Sequence, residues 1–161
     1  MKIYEHIVVD ASVSDLWKVL GERFADVSDW TESVTESYLD GPLTAGAVRT
    51  CHLKPTGPLA GGIVTEELTH FMPASHSLTY QVRSGLPGFI GHLTNAWSIQ
   101  ELSGRRARVQ SVITLRVAWW MTPLALLVKM QMRRAIRGFL KELEDFVAAP
   151  ESVSELQAHA G

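Results

Sequence analysis

The longest regular pattern in the chain is a helical one at residues 121–148, MTPLALLVKMQMRRAIRGFLKELEDFVA. At 3.6 residues per turn, its apolar side chains form one stripe and most of its charged side chains lie opposite. The stripe comprises Leu124, Val128, Met132, Ala135, Ile136, Phe139, Leu143 and Phe146. Thr122 is the predicted N-cap, Pro123 suits the first helical position, and Pro150 ends the helix. A helix of about 27 residues is about 40 Å long, so its stripe needs a broad apolar surface to pack against.

The rest of the chain is dominated by two-residue alternation, which predicts a sheet that supplies this surface. Strands are predicted at residues 2–9, 33–39, 47–54, 63–71, 77–84, 92–102 and 106–117. Two short helices are predicted after the first strand, at residues 13–20 and 22–30. Short turns between consecutive strands favour antiparallel pairing. The sequence therefore predicts an α+β fold, in which a curved seven-stranded antiparallel sheet wraps around the long C-terminal helix.

Size and composition restrict the function classes. The 161 residues suit one domain, predicted at 1–149 and followed by a flexible C-terminal tail at 150–161. A net charge of −2 gives no reason to expect a nucleic-acid partner. A single cysteine, Cys51, excludes an intrachain disulfide and fits a reducing compartment. The most apolar run, residues 117–128, is too short to span a bilayer. We expect a cytoplasmic protein without stable membrane insertion.

Four segments, taken in order, resemble one superfamily. They are DASVSDLWKVLGERFADVSDW at 10–30, GGIVTEELTHFMPASHSLTYQV at 61–82, NAWSIQEL followed by RARVQSVITLRV at 95–117, and PLALLVKMQMRRAIRGFLKELEDF at 123–146. Together they resemble the START-like, or helix-grip, superfamily (SRPBCC), over about residues 2–148. Its members include birch-pollen-type allergens, polyketide cyclase/dehydrase-like proteins and plant abscisic-acid receptors. The resemblance implies a helix-grip domain with a cavity between sheet and C-terminal helix, in a superfamily that holds carriers, receptors and cyclases.

Glu66 is the leading candidate for chemistry in this cavity. It lies mid-strand, and the alternation of Val64, Leu68 and His70 predicts that it faces the inner side of the sheet. A carboxylate in an apolar cavity makes a good acid, base or ligand anchor. The resemblance agrees, because the receptors have an acid near this position in the water network of their pocket. The alternatives are a Glu66 held by a structural arginine or by backbone, and one that faces outward.

Either of the two faces of the strand at 92–102 could point inward. The more apolar face, which we expect to point inward, carries Leu93, Asn95, Trp97 and Ile99. There Trp97 would be a flat apolar wall with one donor, and Asn95 a fixed polar contact. The pattern of the receptors would instead place Ala96 and Ser98 inside. Both orientations stay open at this point.

No established catalytic or metal motif is present. The histidines are His6, His52, His70, His76, His92 and His159, and no pair has the spacing of a metal site. Cys51 and the serines lack the context of a nucleophile, and there is no nucleotide-binding loop. We therefore expect no metal and no cofactor. If the protein is an enzyme, Glu66 and His70 are the candidate catalytic residues.

The helix-grip expectation defines a cavity wall and three candidate functions. The predicted ligand-binding residues are Trp30, Val64, Glu66, Leu68, Tyr80, Asn95, Trp97, Ile113, Val128, Met132, Ala135 and Phe139. The first hypothesis is binding of a small hydrophobic or aromatic, lipid- or polyketide-like ligand, held by burial of its apolar area. The second is a polyketide cyclase/dehydratase-type enzyme that uses Glu66 or His70 as acid or base. The third is a non-enzymatic partner-binding or structural protein with a filled cavity.

Two further features bear on access and assembly. The Pro/Gly loops at 55–62 and 85–91 are either plain hairpin turns or gates, since the resemblance implies that comparable loops frame the cavity mouth. The region Trp119–Met130 is apolar on all sides, which a monomer rarely exposes. It is expected to pack at the cavity entrance, to form a homodimer, or to touch a membrane from which a lipid is collected.

Overall fold

A computed structural model describes residues 1–55 and 61–149. The expected order of elements is confirmed. The strands are β1 (Lys2–Val9), β2 (Val34–Asp40), β3 (Val48–Leu53), β4 (Gly62–Met72), β5 (Ser77–Ser84), β6 (Ile90–Ser103) and β7 (Arg106–Val117). Helix α1 (Val13–Trp17) continues into a π turn (Lys18–Glu22) and a 3-10 helix (Phe24–Asp29). Further 3-10 turns (Pro73–Ser75 and Trp119–Leu124) precede β5 and the long helix α2 (Ala125–Ala148).

The sheet is antiparallel throughout and has the strand order β1-β7-β6-β5-β4-β3-β2. Strands β2 to β7 form a meander, and β1 pairs with β7, with Ile3 opposite Ile113. The short helices occupy the connection between the two edge strands. With α2 packed on its inner face, this seven-stranded sheet has the predicted helix-grip architecture. The predicted tail at 150–161 and most of the loop at 55–62 lie outside the described residues.

A bulge in β4 changes the predicted alternation. The pairing with β5 shifts between Leu68 and His70. Val64 and Leu68 are buried on the inner face as expected, but after the bulge Phe71, rather than His70, packs against the core. His70 is exposed. Among the described residues, the one hydrogen-bond partner of its ring is the hydroxyl of the neighbouring Thr69. The prediction that His70 shares a face with Glu66 is therefore wrong.

Helix α2 begins later than the sequence predicts. Residues Trp119–Leu124 form a 3-10 helix that contains Pro123, and α2 starts only at Ala125. The Thr122 hydroxyl donates to the Trp119 carbonyl oxygen at 2.5 Å, which closes this turn instead of capping α2. The predicted N-cap at Thr122 is therefore wrong. None of the described helices combines the length and the apolar character that a membrane crossing requires.

The buried face of α2 is rotated slightly from the predicted stripe. Val128, Leu140, Leu143 and Val147 are buried, and Met132, Ile136 and Phe139 are half-buried. The inward-facing residues of α2 follow one another mostly at intervals of four, so Ala135 falls beside them and is exposed. Leu124, which precedes α2, is also exposed. The expectation that Ala135 lines a cavity is wrong for this reason.

The apolar core is divided into two clusters. The first surrounds the short helices and the C-terminal half of α2, and includes Leu16, Trp17, Trp30, Leu68, Trp97 and Leu143. The second lies under the N-terminal half of α2, and includes Ile3, Val64, Val82, Leu93, Ile113 and Val128. Tyr80 and Ile136 pack against both clusters. The boundary between the clusters is therefore the middle of the inner face.

Glu5 ties α2 to the edge strand β1. Its carboxylate is buried and accepts from Arg133 Nε at 2.5 Å and from Arg137 Nε at 2.8 Å. Burial by itself raises the pKa of Glu5, but the hydrogen bonds and charges of Arg137 and Arg133 outweigh it, so the pKa is lowered. The carboxylate form is therefore favoured by folding.

We predict that Glu5→Gln destabilises the protein by about 1–2 kcal/mol at neutral pH, because two charge-assisted hydrogen bonds to partly exposed arginines are weakened. Because the pKa of Glu5 is lowered by folding, its contribution is present above the ordinary value of 4.5 and is lost as the pH falls below it. Urea unfolding at pH 7 and at about pH 3.5 measures this.

The matched control is Glu36→Gln, since Glu36 is largely exposed and pairs only loosely with His52, at 4.0 Å. We expect it to change the free energy of unfolding little at either pH. An equal loss in both variants, or a Glu5→Gln loss that does not shrink in acid, would contradict this account.

Candidate functional site

Arg49 and Glu66 form a buried ion pair on the inner face. The two residues are direct cross-strand partners in β3 and β4. Arg49 is 6% exposed, and its Nε and Nη2 donate to Glu66 Oε2 at 2.9 and 2.5 Å. Its Nη1 donates to the Phe24 carbonyl oxygen at 2.6 Å. Glu66 thus faces inward as predicted, and it is held by an arginine, which is the structural alternative that the sequence left open.

Aromatic rings and a thiol surround the pair. The Arg49 guanidinium carbon lies 3.7 Å from the centre of the Phe24 ring and 5.4 Å from that of Tyr80. Burial lowers the pKa of Arg49, but the charge of Glu66 more than compensates, and the pKa is raised. Burial also raises the pKa of the Cys51 thiol to about 12. Cys51 is therefore a neutral thiol at physiological pH and not a nucleophile.

Three more polar side chains continue across the sheet from this pair. The Asn95 amide donates to the Tyr80 hydroxyl at 3.3 Å, and the Ser111 hydroxyl donates to Asn95 Oδ1 at 2.7 Å. Asn95 is only 1% exposed, and burial raises the pKa of Tyr80. The inward orientation of Asn95 and Trp97 is confirmed, with Ala96 and Ser98 on the other face.

Together these residues form what we call the inner polar row. It takes one side chain from each of six adjacent strands: Glu5, Ser111, Asn95, Tyr80, Glu66 and Arg49, from β1, β7, β6, β5, β4 and β3. On most of these strands, the residues two positions before and two positions after the row residue lie in different apolar clusters, one in the first and one in the second. The row is therefore the boundary that divides the core.

A small hollow adjoins the inner polar row on the side of the first cluster. It has a volume of about 10 Å³, room for about one water molecule. Its lining consists of Val19, Leu20, Arg23, Phe24, Val27, Trp30, Arg49, Leu78, Tyr80, Trp97 and Phe139. The Phe139 ring lies in this lining, with its centroid 4.5 Å from that of Trp30 and 5.5 Å from that of Trp97. Where we expected a cavity, these described residues leave only a small hollow among aromatic side chains.

The predicted wall residues are thus distributed over several environments. Trp30, Tyr80, Trp97 and Phe139 meet at the hollow, while Glu66 and Asn95 stand in the row. Leu68 belongs to the first cluster, and Val64, Ile113, Val128 and Met132 belong to the second. Sequence reasoning missed three members of the row, Glu5, Arg49 and Ser111. The signal for Arg49 was its position two residues from Ala47 and from Cys51, which are both buried on the same face.

The indole nitrogen of Trp30 is a buried donor without a hydrogen-bond partner among the described residues. Trp30 lies between the hollow and an open groove of about 600 Å³ beside the C-terminal half of α2. In this groove, the Thr31 hydroxyl donates to Glu142. A buried donor without a partner is unfavourable. An acceptor atom brought to the Trp30 indole nitrogen would therefore be stabilised.

The loop at 85–91 closes the other end of the core. Leu86 and Phe89 pack on the second cluster, and the Ala118 N–H donates to the Phe89 carbonyl oxygen at 2.8 Å. Gly85 has φ +89°, and an added Cβ there would lie 2.2 Å from the Ile63 carbonyl oxygen, so the turn requires glycine. A gating role for this loop stays a prediction.

The curved seven-stranded sheet with a long C-terminal helix on its inner face defines a protein of the helix-grip class. A family model described as polyketide cyclase / dehydrase and lipid transport matches residues 1–148, so the chain belongs to this family. The resemblance seen in the sequence is confirmed. Family and fold are of the type that binds small hydrophobic ligands. A comparison with curated proteins gives no match.

Solved structures share the fold at low sequence identity. The crystal structure of Ara h 8.0201 is 12% identical, with a TM-score of 0.75 over 91% of this chain and 97% of that one. A START superfamily protein from Mycobacterium smegmatis is 15% identical, with a TM-score of 0.75 over 91% and 96%. Norcoclaurine synthase from Thalictrum flavum, in complex with dopamine and hydroxybenzaldehyde, is 13% identical, with a TM-score of 0.73 over 91% and 86%. These likenesses establish the fold alone.

We predict that Arg49→Met destabilises the protein by about 3–5 kcal/mol, because it leaves Glu66 charged and unpaired in the interior. The double variant Arg49→Met/Glu66→Met should recover most of this loss, since apolar residues replace both charges. Urea unfolding of the two single variants and the double variant measures the coupling between the residues.

The control is the pair of Arg83 and Glu67, which also joins neighbouring strands, but at the surface. Arg83→Met should cost less than about 1 kcal/mol. A double variant at Arg49 and Glu66 that stays as unstable as Arg49→Met would show that the pair itself is required for stability.

Proposed function

We propose that the protein binds a small hydrophobic or aromatic molecule, lipid- or polyketide-like, between the inner polar row and α2. The observation that carries this proposal is the placement of buried Arg49 and Asn95 and half-buried Tyr80 at a hollow lined by aromatic rings. Small-molecule sites combine apolar walls with a few fixed polar groups in this way. Since a buried ion pair is weak evidence for stability, a role in recognition gives Arg49 and Glu66 a reason to be inside.

The charges at the site indicate what kind of ligand it favours. Arg49 and Glu66 neutralise each other at 2.5–2.9 Å, so an additional buried ligand charge would lack a counter-ion there. The Trp30 indole N–H lacks a partner among the described residues and can donate. A neutral aromatic or polyketide-like molecule with a carbonyl or phenol oxygen fits both features. Its rings would gain about 25 cal/mol per Å² of apolar area buried.

Such a ligand needs more room than the hollow provides. Pockets for small molecules usually exceed about 300 Å³, whereas the hollow has about 10 Å³. Phe139 is the side chain best placed to yield, because it is half-buried and lies on α2 against Trp30 and Trp97. Binding is therefore proposed to displace the Phe139 ring.

We predict that Phe139→Ala increases the affinity for indole, a neutral aromatic probe, by about tenfold or more, because the probe no longer has to displace a ring. The same change should reduce the free energy of unfolding by about 2–3 kcal/mol, less than for a fully buried phenylalanine. Isothermal titration calorimetry measures the affinity. In the Phe139→Ala background, Tyr80→Phe and Asn95→Leu should each weaken binding.

The matched control is Phe146→Ala, also half-buried on α2 but outside the lining of the hollow. It should leave indole affinity unchanged. If neither wild type nor Phe139→Ala binds indole saturably, the small-molecule proposal fails.

That result would favour the second candidate function, a non-enzymatic partner-binding or structural role with a filled cavity. The small volume of the hollow is the observation that supports it.

The cyclase/dehydratase hypothesis stays a prediction with a separate test. His70 is exposed and makes no described contact with the inner polar row, so Glu66 is the better-placed acid or base. A Glu66→Gln variant that keeps probe affinity but loses turnover of an aromatic polyketide mimic would support an enzyme. We also propose a cytoplasmic location, which suits the free thiol of Cys51.

A further inference from the structure

The turn between β7 and α2 carries an exposed apolar surface that we call the tryptophan knob. It comprises Trp119, Trp120, Leu124, Leu126, Leu127 and Met130, all exposed. Trp119 is 86% exposed and Leu126 is 70% exposed, so these two side chains are not packed at the cavity entrance, which was one of the three expectations for this region. On α2, Leu126, Leu127 and Met130 share one side, while Val128 points into the core. A monomeric protein surface rarely presents so many adjacent large apolar side chains.

The stretch of sequence from 102 to 141, which contains the tryptophan knob, is cationic and contains no acid. Between Glu101 and Glu142 there is no aspartate or glutamate, although the whole chain has a net charge of −2. The cations of this segment are Arg105, Arg106, Arg108, Arg116, Lys129, Arg133, Arg134, Arg137 and Lys141. The acidic residues of α2 all lie at its C-terminal end, in Glu142, Glu144 and Asp145. The helix therefore presents a positive end beside the knob and a negative end far from it.

Arginine side chains lie directly beside the apolar surface. Met130, Arg133, Arg134 and Arg137 line an open groove of about 400 Å³. Glu5 accepts from Arg133 and Arg137, but Arg134 is exposed and makes no ion pair among the described residues. Arg116, at the end of β7, is exposed as well. Positive charge thus borders the α2 side of the tryptophan knob, next to Met130.

We infer that the tryptophan knob docks the protein on the surface of an anionic lipid bilayer. Tryptophan prefers the membrane–water interface, where the indole is half in an apolar and half in a wet environment. Leucine and methionine side chains at the same level would enter the headgroup–acyl boundary, and nearby arginines would contact anionic headgroups. A second copy of the chain fits less well, because a two-fold interface would bring its own arginines near one another. This inference does not depend on the proposed function.

The test is co-sedimentation of the full chain with vesicles of phosphatidylcholine alone, or with about 30 mol% phosphatidylserine. We expect binding to the anionic vesicles, weaker by about tenfold on neutral vesicles and at about 1 M salt, where the Debye length is about 3 Å. Binding should shift the tryptophan emission to the blue. Trp17, Trp30 and Trp97 are already buried, so the shift would report Trp119 and Trp120.

Two variants with matched controls identify the surface. Trp119→Ser/Trp120→Ser should lower vesicle affinity by about tenfold or more, whereas Tyr4→Ser/Tyr38→Ser, at exposed aromatic positions of β1 and β2, should not. Arg134→Glu should weaken binding to anionic vesicles only. Arg105→Glu, in the turn at the opposite end of β7, should have little effect.

Three outcomes would overturn the inference. One is no binding to either kind of vesicle by a wild-type chain of normal thermal stability. Another is vesicle binding that the tryptophan substitutions leave unchanged. The third is a homodimer in sedimentation equilibrium that Trp119→Ser/Trp120→Ser dissociates, without vesicle binding, which would assign the surface to a second copy. Phe139→Ala should bind vesicles like wild type, which separates this test from that of the proposed function.

Discussion

The row of polar side chains across the inner face of the sheet determines how the rest of the molecule is arranged. Each of these groups would be unfavourable in an apolar core unless it had a partner. The partners come from adjacent strands and from α2, so Arg49 meets Glu66, Ser111 meets Asn95, and Glu5 meets two arginines. The core consequently packs as two apolar clusters on either side of the row. The hydrogen bonds that satisfy these groups fix the register of the strands and the position of α2 on the sheet.

The same row places polar groups at the middle of an otherwise apolar core. A purely apolar centre would bind α2 against the sheet without the cost of burying charges. Here the polar groups adjoin a hollow in whose lining the rings of Trp30, Trp97 and Phe139 pack together. The hollow is therefore small, and it combines apolar walls with fixed polar groups. Membership of a cyclase and lipid-transport family is consistent with this arrangement.

Charge is distributed along α2 in a way that separates its two ends. The C-terminal half packs into the first cluster and ends in acidic residues beside an open groove. The N-terminal half covers the second cluster with Val128 but leaves its outer side apolar and bordered by arginines. One helix thus has a buried face for the core and an exposed end whose chemistry differs from the rest of the surface. The interior site and the exposed surface can be tested independently for this reason.

Local pattern was sufficient to predict the order of elements, the antiparallel sheet and the inward face of Glu66. It favoured the inward face of Asn95 and Trp97 but did not decide between the two faces of that strand. Alternation and helical periodicity are properties of neighbouring residues, and burial follows them wherever a strand or helix is regular. The sequence alone did not reveal the bulge that turns His70 outward, because a bulge depends on the partner strand. Nor did it reveal that Arg49 meets Glu66, that Ala135 lies outside, or that Phe139 closes the hollow. Those depend on register, on the rotation of α2 and on the volumes of side chains distant in sequence, which only the packed structure brings together.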